Sequence, residues 1–111
     1  MTEEWSKIAS LYDGPRAVGG SLQVGAGRLR FRAHAIDRAL KGREIDVPLD
    51  AISRLTLTDR SLLAPRRHVL VETYDGVRAR FLVNGAKKVI HRLSRDVSEA
   101  TGTAVEVVGL D

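Results

Sequence analysis

From Leu22 to Val83 the apolar residues of this chain recur mostly at every second position, and beyond Asn84 they recur at every third or fourth. A period of two marks strands with one buried and one wet face, and a period near 3.6 marks an amphipathic helix. The order predicts a run of short strands followed by one C-terminal helix. Leu22 and Val24, then Leu29 and Phe31, alternate with polar residues on either side of Gly25-Ala26-Gly27. There Gly25 and Gly27 permit the positive φ angles of a tight hairpin. Further strands are expected at Glu44–Pro48, Ser53–Thr58, His68–Tyr74 and Val77–Val83, the last two joined by Asp75-Gly76, a strong hairpin signal. Asn84 suits a helix N-cap. Behind it Val89, Ile90, Leu93, Val97 and Ala100 fall within about 100° of arc, with Lys87, Lys88, His91, Arg92 and Arg95 opposite. Gly102 is placed to end that helix in a left-handed conformation.

Two segments admit two readings each. Trp5, Ile8 and Tyr12 have helical spacing, but Ile8–Tyr12 equally makes a strand stopped by Asp13-Gly14-Pro15. Ala104–Val108 is a short strand or an ordered tail. Residues 1–111 read as one domain, with a core at about 8–101 and a tail at 102–111. A chain of this length buries roughly two thirds of its unfolded surface. Leu22, Leu29, Phe31, Val47, Leu55, Val71, Phe81, Ile90, Leu93 and Val97 are the expected core.

No apolar run approaches the ~20 residues of a membrane span. The opening Met1-Thr2-Glu3-Glu4 is acidic and polar, unlike a signal peptide. The absence of cysteine excludes disulfides and thiolate metal sites and fits a cytoplasmic setting. The net charge is +4, from 18 Lys+Arg against 14 Asp+Glu. Arginine-rich, Ala/Val/Gly-rich usage is also what a GC-rich genome produces, so each basic patch has a compositional reading beside its functional one. Aromatics, at 5%, are too few for a base-stacking platform, which places nucleic acid low among partners.

The order of strands and helix, taken with three short motifs, resembles GRAM domains of the pleckstrin-homology superfold. Gly19-Gly20-Ser21-Leu22 followed by Arg28-Leu29-Arg30-Phe31 is similar to the G-G-x-L … R-L-x-F opening of that family. Ile45–Ile52, with Pro48-Leu49, is similar to its apolar-Pro-Leu-x-x-Ile block. Thr73-Tyr74-Asp75-Gly76 followed by Phe81 is similar to its late hairpin. Gly25-Ala26-Gly27 departs from the family's threonine-containing turn. The resemblance implies a bent antiparallel β-barrel of about seven strands, capped by the C-terminal helix and without enzymatic activity.

Candidate functional residues fall in two connections. In the first, Arg38, Lys41 and Arg43, preceded by Arg32, face a single acid, Asp37, and are interleaved with Ile36 and Leu40. Mixed basic and apolar residues suit an anionic lipid surface or an acidic partner. In the implied fold Arg16 approaches this cluster, because the two loops share a barrel rim. The plainer reading tucks Ile36 and Leu40 under the barrel and leaves the cations solvated. In the second connection, Leu62-Leu63 precedes Ala64-Pro65-Arg66-Arg67 as an apolar tip: a partner-binding wedge, a self-association contact or a flap over the core. The helix face from Lys87 to Arg95 is a second basic stripe, or simply a wet face on which Arg92 and Asp96 pair at i, i+4. Arg16, Arg28 and Arg30 loosely fit a phosphoinositide-binding basic pattern, but chance explains the match.

His34, His68 and His91 are scattered, with no metal-ligand spacing, and no nucleophile elbow is present. No cofactor is expected. Trp5 serves as a staple for the first segment or as a membrane-interface anchor. The reading is a cytoplasmic, non-catalytic binding module, docking on a protein partner or peripherally on an anionic membrane. The alternative is a scaffold that self-associates through a strand edge or Leu62-Leu63.

Overall fold

A computed structural model describes residues 4–34, 44–60 and 66–110. The ambiguous first segment is a strand, β1, Trp5–Asp13. It turns at Gly14-Pro15 into β2, Arg16–Gly25, and the two pair antiparallel from Trp5↔Val24 to Asp13↔Arg16. β2 therefore begins five residues before the alternating Ser21–Val24 that announces it. Gly19-Gly20 hides its first half in the sequence. A Cβ on Gly20 would lie 2.2 Å from the Arg32 carbonyl oxygen and 2.7 Å from the Phe31 ring, so only glycine lets the next strand come this close.

That strand is β3, Arg28–Ala33, followed by β4, Ile45–Pro48, a 3-10 turn at Leu49–Ala51, and β5, Ile52–Leu57. The β2–β3 turn puts Ala26 (φ 52°) and Gly27 (φ 74°), rather than Gly25, in the left-handed region, while Gly25 stays in the ladder opposite Arg28. Two consecutive positive φ values match the right-handed twist of a two-residue hairpin. After β6, Val69–Thr73, and β7, Arg78–Val83, comes the helix α1, Ala86–Thr101, which stops at Gly102 with φ 78° as expected. Glu106–Val108 forms a final strand, β8.

The strands form a single sheet in the order β4-β3-β2-β1-β7-β6-β5-β8. Two expectations are corrected here. The described strands number eight rather than seven, and they do not close into a barrel. Closure requires β4 to meet β5, but the free edge of β5 is taken by β8, which runs parallel to it from Arg54↔Glu106 to Thr56↔Val108. The sheet nevertheless curls. β3 and β7 are three strand spacings apart, about 14 Å if flat, yet the Phe31 and Phe81 rings meet at 5.7 Å.

Inside the curl lie Leu11, Leu22, Leu29, Leu55, Val71 and both phenylalanines, all buried. Of the expected core residues, only Val47 falls short. It is half-buried because β4 is an edge strand, with neighbours on one side only. The helix packs against β5, β6, β7 and the 3-10 turn, and seats Val89, Ile90, Leu93 and Val97 in the core. Leu93 is completely buried. Leu93→Ala should therefore cost roughly 2–5 kcal/mol of stability, through lost transfer energy and a residual cavity. Urea unfolding of the two proteins measures this directly, and an unchanged midpoint would show that the helix does not plug the curl.

Candidate cationic surfaces on and beside the helix

The helix begins one residue later than its sequence announces. Gly85, not Asn84, is the N-cap; its φ is 68° and no side chain caps the first turn. Asn84 is occupied elsewhere: its Oδ1 accepts from Arg66 Nη2 at 2.5 Å, and its carbonyl oxygen accepts from Lys7 Nζ at 3.1 Å. No acid lies in the first helical turn.

Along the outward face, Lys88, His91, Arg92 and Arg95 line an open hollow of about 510 Å³ with no acid in its lining. Arg92 is half-buried, with its guanidinium 5.1 Å above the Trp5 ring. That contact is a cation–π interaction. The Trp5 indole N–H in turn donates to Asp96 Oδ2 at 2.7 Å. Asp96 is 1% exposed, an acid on the apolar stripe between Leu93 and Val97. Trp5 thus staples β1 to the helix. A buried carboxylate without a donor would be costly, and the indole supplies one.

A second hollow, about 320 Å³, opens where the helix begins. Arg60, Arg66, Arg67, Val83, Gly85, Ala86 and Lys87 line it. Arg67 is fixed from behind, Nε donating to the Thr58 carbonyl at 3.0 Å and Nη2 to the Gly109 carbonyl at 2.7 Å. The sequence reading took Arg66-Arg67 only as the end of an apolar tip and missed this convergence. The available signal was a pair of arginines directly before a strand, together with a helix start that lacks acids.

Four arginines of the sheet are matched by acids. Arg28 holds Asp46 at 2.6 Å and Arg30 lies 3.5 Å from it. The Arg28 hydrogen bond, helped by both positive charges, keeps the Asp46 carboxyl below its usual range. Arg54 pairs with Glu106 at 2.9 Å and Glu72 at 3.6 Å, and Arg78 lies 3.4 Å from Glu72.

Of the residues singled out from the sequence, Arg16 is exposed at the turn end of β2, and Arg32 is exposed on β3 opposite Ser21. Five residues of β2 separate those positions, roughly 17 Å of strand. In the Arg32 row, Ser21 leads on to Ile8, an apolar side chain 70% exposed. Ile36, Arg38, Leu40, Lys41 and Arg43, and likewise Leu62 and Leu63, lie outside the described residues. Among the described residues no group of three or more His, Asp or Glu is arranged to hold a metal, and no helix is long and apolar enough to cross a membrane.

By sequence the chain matches no family model and no curated protein. By structure it is similar to the PH domain of human Oxysterol binding protein-related protein 11, with a TM-score of 0.64 at 17% identity over 90% of this chain and 84% of that one. The chain has a pleckstrin-homology-like fold. The C-terminal domain of an unknown protein from Leishmania infantum is another neighbour, with a TM-score of 0.68 at 13% identity over 83% of this chain and 80% of that one. A third is found in the Spt16D Pob3N heterodimer, at 0.64 and 12% identity, where 96% of this chain spans 55% of its counterpart. At these identities the pleckstrin-homology-like likeness is one of fold.

The cationic field reaches one buried base. His68 is 7% exposed, just before β6, with its ring 5.0 Å from that of Tyr12. Burial pushes its pKa below the ordinary histidine value, and the Arg80 and Arg66 charges push in the same direction. A base that protonates more readily when unfolded favours the unfolded state as protons are added. Its stabilising contribution is therefore fully present above the unfolded pKa near 6.5 and is lost as pH falls below that value. Melting temperature should drop as pH falls below about 6.5, where the unfolded histidine takes up its proton, and His68→Gln should flatten that part of the profile. Identical profiles for the two proteins would assign the acid response to other groups.

Proposed function

We propose that this chain is a non-catalytic binding module that docks on an anionic surface, as a small GRAM-like member of the pleckstrin-homology superfold. One observation carries the reading: Lys88, His91, Arg92 and Arg95 share one hollow on the outer face of the helix, with no acid in its lining. Exposed cations such as Lys88 and Arg95 attract anionic surfaces over about a Debye length. The hollow is open, so it suits a surface better than an enclosed small substrate. The basic and apolar set Arg16, Arg32, Ile36, Arg38, Leu40, Lys41 and Arg43 is proposed as a second contact, and the exposed Ile8 in the Arg32 row supports it.

Cations near an anionic bilayer contribute about 1 kcal/mol each, less as salt rises. Wild-type protein should co-sediment at low salt with phosphatidylcholine vesicles carrying about a third phosphatidylserine, since binding there is electrostatic. Lys88→Glu with Arg95→Glu should weaken that binding by at least ~tenfold and leave the circular dichroism spectrum unchanged. The triple change of Arg38, Lys41 and Arg43 to Glu measures the share of the second contact. Wild-type protein that ignores these vesicles sinks the membrane arm and leaves an acidic protein partner.

A specific observation also favours self-association. The sheet ends on two edges, β4 and β8, that pair with nothing further among the described strands. Unpaired edges are templates for another chain. Light scattering should then show a concentration-dependent dimer, weakened by Leu62→Asp with Leu63→Asp if that tip takes part. A strict monomer at high concentration excludes this reading.

A further inference from the structure

The hollow at the start of α1 differs in kind from the docking face. It is a pocket about 320 Å³ in volume, near the lower end of the range for small-molecule sites. Among the described residues that line it, Arg60, Arg66, Arg67 and Lys87 are cationic and none is acidic. Asp59, next to Arg60, is exposed and outside the lining. Bringing four like charges together costs energy unless something anionic sits among them.

Two further features fit an anion. The guanidinium groups are pre-positioned, Arg66 by Asn84 and Arg67 by the Thr58 and Gly109 carbonyl oxygens. Little side-chain entropy then remains to be lost when a ligand arrives. The pocket wall also includes Gly85 and Ala86, where the helix has neither a capping side chain nor a first-turn acid. Val89 N–H donates to the Gly85 carbonyl at 3.0 Å, and the amides before it in a helix have no intrahelical acceptor. Val83 and Ala86 supply an apolar side.

We propose that this pocket binds a terminal phosphate or diphosphate group carried on a small organic moiety. A terminal phosphate brings a charge near −2 and three acceptor oxygens, which matches converging guanidinium groups better than a single carboxylate does. The volume exceeds what one phosphate needs, and the Val83–Ala86 side receives the attached group. The pocket lies away from the β1–β2 turn. Val83 is opposite Ala9, four residues before Asp13, or about 13 Å of strand. The site is independent of the docking face, so the two readings fail separately.

The test is a titration of nitrogen-15-labelled full-length protein with inorganic pyrophosphate at about 50 mM salt, where screening is weak. The expected result is saturable movement of the Gly85, Ala86 and Lys87 amide signals. Arg60→Gln with Lys87→Gln should weaken binding at least ~tenfold, as loss of charge-assisted hydrogen bonds requires. Lys88→Gln with Arg95→Gln should leave the affinity within about twofold, since those side chains lie outside the pocket. Both variants change exposed or solvent-side cations, and amide spectra without ligand verify the fold. Arg67 is left intact because it anchors two backbone segments. Absence of saturable movement overturns the proposal, as does an equal loss in both variants, which would mean diffuse charge attraction.

Vesicles then identify the source of the phosphate. A preference for phosphatidic acid over an equal charge of phosphatidylglycerol, abolished by Arg60→Gln with Lys87→Gln, supports the site with a lipid monoester as its ligand. Pyrophosphate binding without that preference supports the site with a soluble phosphate compound instead.

Discussion

The contact between Phe31 and Phe81 organises the molecule. Two rings on strands separated by two intervening strands meet only if the sheet folds over itself. Once it does, the inward faces of β2, β3, β5, β6 and β7 enclose one apolar interior, and an open end remains. The helix fills that end with Ile90, Leu93 and Val97, and this seating leaves its opposite side in water. The cationic stripe is therefore a consequence of how the core is closed. Its position relative to the sheet is fixed by the tie from Trp5 to Asp96, which joins residues 91 apart in sequence.

Charge on this fold is divided between two regimes. On the sheet, four arginines meet acids: Arg28 and Arg30 with Asp46, Arg54 with Glu72 and Glu106, Arg78 with Glu72. Exposed pairs of this kind add little stability but cancel the local field. On and beside the helix no such acids line the two hollows, and the field persists. A net charge of +4 therefore understates the local potential.

Strand positions were legible where alternation was uninterrupted, as at Leu29-Arg30-Phe31 and Val77–Val83, because burial on one face imposes the period directly. The helix was legible from five apolar residues on one arc. β2 was half hidden because Gly20 is present to admit a neighbouring backbone, a requirement that only the paired strand reveals. The helix cap was misplaced because Asn84 is a good cap in isolation, yet Arg66, eighteen residues away, engages its side chain. Barrel closure was misjudged because the sequence offers a short strand at Ala104–Val108 but nothing in it says that Glu106–Val108 takes the edge of β5. The cationic pocket was least legible of all: only tertiary structure brings Arg60 and Lys87 to the adjacent pair Arg66-Arg67.

The parallel pairing of β8 with β5 has a consequence for how the chain is made. Arg54 and Glu106 are 52 residues apart, so the edge of β5 stays bare through synthesis of β6, β7 and the whole helix. During that interval the nascent chain presents an open strand edge with Leu55 and Leu57 beside it, the kind of surface on which partly made proteins stick together. Ser53, Arg54 and Thr56 act as gatekeepers there, setting polar side chains between the apolar ones until the last strand arrives. A tail of three paired residues thus covers the edge of β5 only after every other strand of the sheet has been synthesised.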